Sequence, residues 1–229
     1  FGGLAPIEDG VELYPGARQI KDGMVTAYVL PAGGKRVALV DCGNDLQAVA
    51  ILKELSRQGL DASAVAAVFV THGHGDHFGG CRRFSQAAIY AFAADIDLIE
   101  GRAAAGGPIP RLLGRRSDRS VKVTKALTDG EAVRVGTLTV RAFAMPGHTA
   151  GSGAYLADGV LYMGDSATVQ RDGALRPAPW LFSDDQAANR RSLSMLKARL
   201  AGEKIEVSKM VFGHSGPAAG KKVLSDFVP

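Results

Sequence analysis

The sequence has little cysteine, few aromatic residues and no long apolar run. Its two cysteines, Cys42 and Cys81, are too few for a disulfide-rich scaffold, and they lack the CxxC spacing of many redox and zinc sites. We interpret each as a small buried apolar side chain, and the sequence leaves open whether they pair. No apolar run approaches the roughly 20 residues that a membrane helix requires. We therefore expect a soluble protein with no membrane partner.

No charge of one sign dominates the chain either. Its 27 Lys and Arg residues alternate with 23 Asp and Glu residues, and aromatic residues make up 7% of the sequence. This pattern gives little reason to expect a nucleic-acid partner and is compatible with a small-molecule substrate. The first residue is Phe rather than Met, so the natural start, the cellular compartment and the oligomeric state stay open.

Apolar patterns in the first half predict strands and a helix. Residues 24–30 and 36–43 are β-rich runs joined by a turn rich in proline and glycine. Residues 45–59 have apolar side chains at helical spacing, with Gly59 as a stop signal. Residues 64–70, AVAAVFV, form a continuous apolar run typical of a strand buried on both faces.

The second half predicts a similar arrangement. The patterns predict strands over residues 121–127, 131–135, 138–145 and 208–213, a hairpin turning at Asp158 and Gly159, and a helix over about 185–200. Each half supplies strands and an outer helix, which predicts an α/β fold with two sheets packed face to face. No linker divides the halves, so we expect residues 1–229 to form one domain.

Three of the five histidines lie close together in residues 70–80, VTHGHGDHFGG. His72, His74, Asp76 and His77 directly follow the buried strand, at the carboxyl edge where α/β proteins usually place their sites. Imidazoles crowded in this way repel one another when protonated and lack partners when buried, unless a cation organises them. The stretch therefore predicts a metal site.

Three further residues have a similar context, each following a β-rich run and a glycine: His148, Asp165 and His214. Taken singly, His148 and His214 are more typical of hydrogen-bonded structural residues. Asp165 has two carboxylate oxygens and can bridge two cations. Imidazole and carboxylate ligands without thiolate suit zinc best, with iron and manganese as alternatives.

The order THGHGDH, His148, Asp165 and His214 resembles the HxHxDH signature and downstream ligands of the metallo-β-lactamase superfamily. The resemblance covers nearly the whole chain and implies a four-layer αβ/βα sandwich with metal ions at one end of the sheets. It assigns His72, His74 and His148 to the first ion; Asp76, His77 and His214 to the second; Asp165 to the bridge; and Asp41 to orienting the metal-bound histidines.

This ligand set predicts a dinuclear zinc-dependent hydrolase. Two cations about 3.5 to 4 Å apart can share a water, lower its pKa and present hydroxide to a carbonyl carbon. An ester, a lactone or a thioester is the expected substrate. Asp76 is the predicted catalytic residue, because it would orient that water and shuttle its proton.

Other functions stay open at this stage. Glyoxalase II enzymes of the superfamily carry a helical extension after the last ligand, whereas 15 residues follow His214, so we do not expect that activity in its usual form. Dedicated β-lactamases commonly have Cys or Ser near the position of Asp165, which argues moderately against that activity. A persulfide dioxygenase-like enzyme with one iron and a non-catalytic metal-binding module are the remaining alternatives.

Two loops are candidates for contact with the substrate. Residues 101–120 contain five arginines, of which Arg111, Arg115 or Arg116 could hold an anionic group, although a solvated basic loop is the simpler interpretation. Trp180 follows Asp165 in the chain and could cover the pocket. A single tryptophan is nevertheless more typical of packed core.

Overall fold

Two β-sheets lie face to face in the protein, which a computed structural model describes over residues 3–113 and 121–228. In the described residues the first sheet has seven strands, antiparallel from β1 to β4 and parallel from β4 to β7. They follow the chain in order: β1 (Glu12–Tyr14), β2 (Ala17–Asp22), β3 (Val25–Pro31), β4 (Val37–Val40), β5 (Val65–Phe69), β6 (Ala88–Phe92) and β7 (Lys125–Leu127).

The later part of the chain forms the second sheet and a short ribbon. The strands are β8 (Ala132–Val135), β9 (Leu138–Ala144), β10 (Gly153–Ala157), β11 (Val160–Tyr162), β12 (Ala167–Val169), β13 (Leu175–Pro177), β14 (Lys209–Val211) and β15 (Ala218–Ala219). In the sheet the order is β15-β14-β11-β10-β9-β8, while β12 and β13 pair with each other. Only β11 and β14 run parallel in this sheet, as far as the chain is described.

The helices are α1 (Val49–Arg57), α2 (Gly75–Phe78), α3 (Ile96–Ile99), α4 (Pro108–Leu113), α5 (Gln186–Gly202) and α6 (Lys222–Ser225). The Asp185 carboxylate begins α5 by accepting the Ala188 N–H at 2.9 Å. Asp45 accepts the Val49 N–H at 3.0 Å, so residues 45–48 form a turn before α1. No helix within the described ranges combines the length and apolarity needed to cross a membrane.

Within residues 3–113 and 121–228, three apolar clusters separate the layers. Tyr28 of β3 lies in the cluster between the sheets, whereas its neighbour Val29 faces outward with Leu55 of α1, because side chains alternate across a strand. On the other outer face, Leu161 of β11 packs with Leu193 of α5. The predicted four-layer αβ/βα sandwich is confirmed.

The boundaries of several predicted elements need correction. The helix predicted over 45–59 is shorter, and the one predicted over 185–200 continues to Gly202. Only residues 125–127 of the predicted strand 121–127 are in a strand. The predicted hairpin does turn at Asp158 and Gly159, both with positive φ, as a two-residue turn of this type requires.

Cys42 and Cys81 form a disulfide, with their Cα atoms 5.3 Å apart. Both residues are buried as predicted, and the structure answers the question of pairing that the sequence left open. The bond joins the turn after β4 to the segment after α2. The Cys42 N–H also donates to the His77 carbonyl oxygen at 2.6 Å, so the disulfide lies directly behind the histidine-rich stretch.

Candidate metal centre

Strand ends bring the seven predicted ligand residues to one edge of the sandwich. They follow β5, β9, β11 and β14, whose last residues are Phe69, Ala144, Tyr162 and Val211. Adjacent parallel strands present their carboxyl ends at the same edge of a sheet. The residues brought together are His72, His74, Asp76, His77, His148, Asp165 and His214.

The first group consists of His72, His74 and His148, whose ring nitrogens lie within 4.8 Å of one another. His74 Nδ1 and His148 Nε2 face each other at 3.0 Å. Two nitrogens bound to one tetrahedral zinc ion would be about 3.3 Å apart, given the usual bond lengths. This pair of rings therefore has nearly the separation that a shared cation requires.

The second group consists of Asp76, His77 and His214, with Asp165 beside it. His214 Nε2 lies 3.3 Å from Asp76 Oδ2 and 3.2 Å from Asp165 Oδ2. The other oxygen of Asp165, Oδ1, lies 3.3 Å from His77 Nε2. Oδ2 is also 3.6 Å from His148 Nε2 of the first group. The carboxylate of Asp165 thus lies between the groups, in a position suited to bridging two ions.

Four of the histidines direct Nδ1 toward an oxygen atom outside the cluster. The pairs are His72 with Thr71 Oγ1 at 3.1 Å, His77 with Asp41 Oδ2 at 2.8 Å, His148 with Ser183 Oγ at 3.2 Å, and His214 with the Met24 carbonyl at 2.6 Å. Carbonyl and carboxylate oxygens only accept, so His77 and His214 donate from Nδ1. Their Nε2 lone pairs then point into the cluster, as metal ligation requires.

Several cluster atoms are buried without a hydrogen bond in the described part of the chain. They are Nε2 of His72 and His74; Nε2 of His77 and Oδ1 of Asp165 also lack a hydrogen bond of good geometry, although they face each other at 3.3 Å. Each unsatisfied buried polar group costs about 1–3 kcal/mol, so such a set needs a further partner. A cation would satisfy these atoms together, and a nitrogen and oxygen donor set without thiolate fits zinc.

Asp41 lies behind both groups. Besides His77, its carboxylate accepts the Thr71 N–H and the Thr71 hydroxyl, each at 2.7 Å. The Thr71 oxygen is then free to accept from His72 Nδ1. Asp41 has a φ of 57°, a left-handed conformation that Asp tolerates better than most residues. One buried carboxylate therefore orients a histidine in each group.

Asp95 is a second buried carboxylate near the cluster, and it holds backbone groups rather than histidine rings. No sequence pattern indicates this role. This buried residue accepts the Gly73 N–H at 2.7 Å, the Gly151 N–H at 2.6 Å and the Thr149 hydroxyl at 2.5 Å. Burial raises the pKa of its carboxyl, and these hydrogen bonds oppose that effect. Asp95 therefore joins the loop of His72 and His74 to the loop of His148.

Charge differs between the two groups. Burial lowers the pKa of His148 to about 3 and that of His72 well below its ordinary value. Burial also acts to lower the pKa of His214, but the carboxylate of Asp165 beside it raises that pKa to about 10. Burial would raise the pKa of Asp165, whereas His214 and His77 hold it well below its ordinary value. Without a bound cation, the first group is thus neutral and the second pairs protonated imidazoles with carboxylates; a cation at the second group would take the place of the Nε2 protons of His77 and His214.

A glycine gives the second group its close packing. A Cβ atom on Gly213 would collide with Asp165 Oδ1 and with the ring of His77. The residue next to His214 must therefore lack a side chain for these ligands to approach one another. The sequence shows a glycine before His214, but not which atoms require it.

The family model described as the metallo-beta-lactamase superfamily matches residues 20–214, a range that contains all seven clustered residues. The chain belongs to the metallo-beta-lactamase superfamily. Within the superfamily, a hydroxyacylglutathione hydrolase of Cupriavidus taiwanensis is 34% identical over 165 residues, which are 68% of this chain and 55% of that protein. The chain thus spans about half the length of the curated relatives it matches.

Solved structures of the superfamily share the fold. A B3 metallo-beta-lactamase with an active-site glutamic acid has a TM-score of 0.73 at 18% identity, over 96% of this chain and 86% of that one. The B3 metallo-beta-lactamase BLEG-1 has a TM-score of 0.65 at 25% identity, over 93% of this chain and 98% of that one. The likeness extends over both sheets.

A cavity of about 830 Å³ opens over the cluster, at the same end of the two sheets. Trp180 does not line it: this residue is 62% exposed, so the expectation of packed core is wrong. Its neighbours Leu181 and Phe182 do line the cavity. The Arg111 side chain, like Arg115 and Arg116, lies outside what the structure describes, so contact of these arginines with substrate stays a prediction.

Proposed function

We propose that the protein is a zinc-dependent hydrolase with two ions, which attacks the carbonyl carbon of a thioester, an ester or a lactone. The proposal depends above all on the convergence of seven nitrogen and oxygen ligands, several of them buried without another partner. When bound, zinc ions would supply a water of lowered pKa and positive charge for the developing oxyanion.

The ligand roles follow the two groups. The first ion would be held by His72, His74 and His148, and the second by Asp76, His77 and His214, with Asp165 between them. Asp41 would keep the ring of His77 in place through its Nδ1 hydrogen bond. Iron and manganese stay alternatives to zinc, because the same donor types bind them.

Asp76 is the proposed catalytic residue. Its side chain is 38% exposed and borders the cavity, whereas the side chain of Asp165 is 11% exposed. A carboxylate that contacts the second group and reaches the cavity can orient the attacking water and hold its proton. That proton can then pass to the leaving group, which departs as a thiol or an alcohol.

A thioester is the favoured substrate within this proposal. The curated relative described above is named a hydroxyacylglutathione hydrolase, a name that denotes the cleavage of a glutathione thioester. Because the chain spans about half of that protein, the glutathione portion is not carried over to it. Esters and lactones present a similar carbonyl carbon and stay within the proposal.

Metal analysis and a substrate comparison test the proposal together. A zinc-saturated preparation should hold two ions per chain, lose hydrolysis on chelation, and regain it with added zinc. The ratio kcat/KM should be highest for a thioester, ester or lactone and lowest for a β-lactam. Two bound zinc ions without turnover of any substrate would favour a non-catalytic module, and one iron with oxygen consumption would favour a dioxygenase-like enzyme.

β-Lactam hydrolysis is the second candidate, because solved structures of similar fold are named B3 metallo-beta-lactamases. A bridging carboxylate brings negative charge to both ions and makes them weaker Lewis acids than neutral ligands would. We therefore expect little action on β-lactams in the parent protein. Efficient β-lactam hydrolysis that survives Asp165→Ser would contradict both the preferred substrate and the bridging role.

A further inference from the structure

The cavity over the cluster continues well beyond the candidate ligands. Five of the seven ligand residues line it: His74, Asp76, His148, Asp165 and His214. Its volume of about 830 Å³ is within the range of sites that enclose a whole small molecule. The reacting carbonyl would occupy only a small part of this space, so the remaining wall must contact the rest of the substrate.

That remaining wall is largely apolar. Its large apolar side chains come from five separate segments and are Leu4, Met24, Leu98, Ile109, Leu181 and Phe182. Leu98 packs against the backbone between two ligands of the first group, because a Cβ on Gly73 would lie 2.6 Å from Leu98 Cβ. Met24 is next to the second group, since its carbonyl accepts from His214. Apolar surface thus begins beside both groups.

The mouth of the cavity exposes apolar surface to water. Met24 is 68% exposed and Leu181 is 37% exposed, although both are large apolar side chains. A single exposed apolar residue needs no explanation, whereas two at the mouth of one apolar cavity favour an apolar ligand there. Both residues border the cavity that contains the candidate ligands.

Charged groups are scarce in the same wall. Outside the ligand cluster, Arg176 is the one charged residue among the described residues that line the cavity, and it is exposed. It also borders a second groove, so it lies toward the edge of the cavity. Arg176 can bind one anionic group at the rim of the cavity, whereas the apolar wall inside favours an uncharged chain.

We propose that the cavity binds the apolar acyl chain of the substrate, and that the preferred substrates are acyl thioesters with a chain longer than butanoyl. The identity of the cleaved bond rests on the proposed function. Binding of the acyl chain does not, because a carboxylic acid product can bind without any bond being broken.

Hydrolysis of a homologous series is the first test. The zinc-saturated protein is assayed with N-acetylcysteamine thioesters of acetate, butanoate, hexanoate, octanoate and decanoate, which share one uncharged leaving thiol. Each methylene that enters an apolar site should raise kcat/KM about fourfold until the wall is filled. We expect octanoyl to exceed acetyl by at least about 100-fold. A flat series, or preference for a short hydroxyacyl glutathione thioester, would overturn the inference.

Binding of the free acids is the second test, and Trp180 supplies the signal. It is the only tryptophan in the sequence, it is 62% exposed, and it precedes Leu181 of the cavity wall. Its fluorescence is titrated with butanoate, hexanoate, octanoate and decanoate, and Kd should fall about fourfold per methylene. Equal Kd values across the series would overturn the inference. Chain-length-dependent binding without turnover of any thioester would support acyl-chain binding while rejecting the thioester as the substrate; without turnover of esters and lactones as well, it would reject the proposed function.

Variants of exposed residues locate the effect without disturbing the core. Met24→Ser combined with Leu181→Ser should weaken octanoate binding about tenfold and butanoate binding much less, because only the longer chain reaches this surface. Met195→Ser is the matched control, since Met195 is 71% exposed on α5 and does not line the cavity. An equal loss for both acids, or the same loss in the control, would contradict the assignment.

Discussion

The two ligand groups of the cluster differ in composition and in exposure. The first is made of imidazoles only, and His72 and His148 are each 1% exposed. The second includes a carboxylate, and the side chains of Asp76 and His214 are 38% and 20% exposed. A buried neutral group suits the retention of a cation. The second group contains an acid and, although His77 is buried, two partly exposed members, which suits contact with water and with a leaving group.

The support behind the groups differs as well. Asp41 acts on side chains, by direct contact with His77 and through Thr71 with His72. Asp95 acts on the backbone of the first group's loops and contacts none of the ligand rings directly in the described structure. Ring orientation is thus controlled by Asp41 and loop position by Asp95. Substituting one aspartate at a time can distinguish the two effects.

Replacing one ligand in each group should give the largest effects. His72→Ala should weaken zinc binding mainly at the first site, and His77→Ala mainly at the second, each by more than about 100-fold, because a direct ligand matters more than its supporting residue. Competition with a chromophoric chelator measures the two affinities. Equal loss of both ions in both variants would show that the groups do not bind independently.

Asp76→Asn should separate metal binding from proton transfer. The amide keeps an oxygen that can approach the second group but cannot take the proton of water, so kcat should fall by about 10²-fold or more. Zinc content and kcat are measured in the same preparation at increasing zinc concentration. Full recovery of kcat with added zinc would limit Asp76 to the role of a ligand.

Asp41→Asn should act mainly on the second group. The amide has one acceptor oxygen, whereas Asp41 accepts from His77 and twice from Thr71. We expect zinc affinity at the second site to fall about 10- to 100-fold, with a smaller change at the first. The electronic spectrum of the cobalt-loaded protein should show which site has changed. A larger loss at the first site would reverse the assignment.

Asp95→Asn should have the smallest effect, restricted to the first group. Its amide hydrogens would face N–H or O–H donors of Gly73, Gly151 or Thr149, which disturbs the loops without removing a ligand. Zinc affinity at the first site should fall about tenfold, while the second site changes little. If chelator competition shows unchanged affinity and only the thermal stability falls, Asp95 supports the fold and does not position ligands.

Local patterns in the sequence predicted much of the sandwich. Continuous apolar runs predicted β5, and helical spacing predicted α1 and α5, because each pattern reports the burial of one segment. Strands β1, β2 and β6 were not predicted: β1 is three residues long and β2 is largely polar, whereas β6, AIYAF, is an apolar run like β5 and was overlooked. The single domain and the absence of a nucleic-acid partner stay predictions.

The candidate ligands could be predicted from the sequence, because they are histidines and aspartates that follow predicted strands and lie next to glycines. Asp95 could not, because an aspartate in the stretch AFAADIDLIE carries no local sign that it will be buried. Whether Cys42 and Cys81 pair was equally hidden, because the disulfide depends on how the turn after β4 meets the segment after α2. The apolar wall could not be predicted either, since its residues lie far apart in the chain.

The sequence by itself determined the α/β class, the places where strands end, and the type of every candidate ligand, because these depend on neighbouring residues. The family resemblance predicted the bridging position of Asp165 and the orienting role of Asp41. The tertiary structure decided which atoms make these contacts, and that a largely apolar cavity covers the cluster. Distances across the cluster arise from the register of β5, β11 and β14 in two separate sheets. Long-range packing, which no local pattern encodes, sets that arrangement.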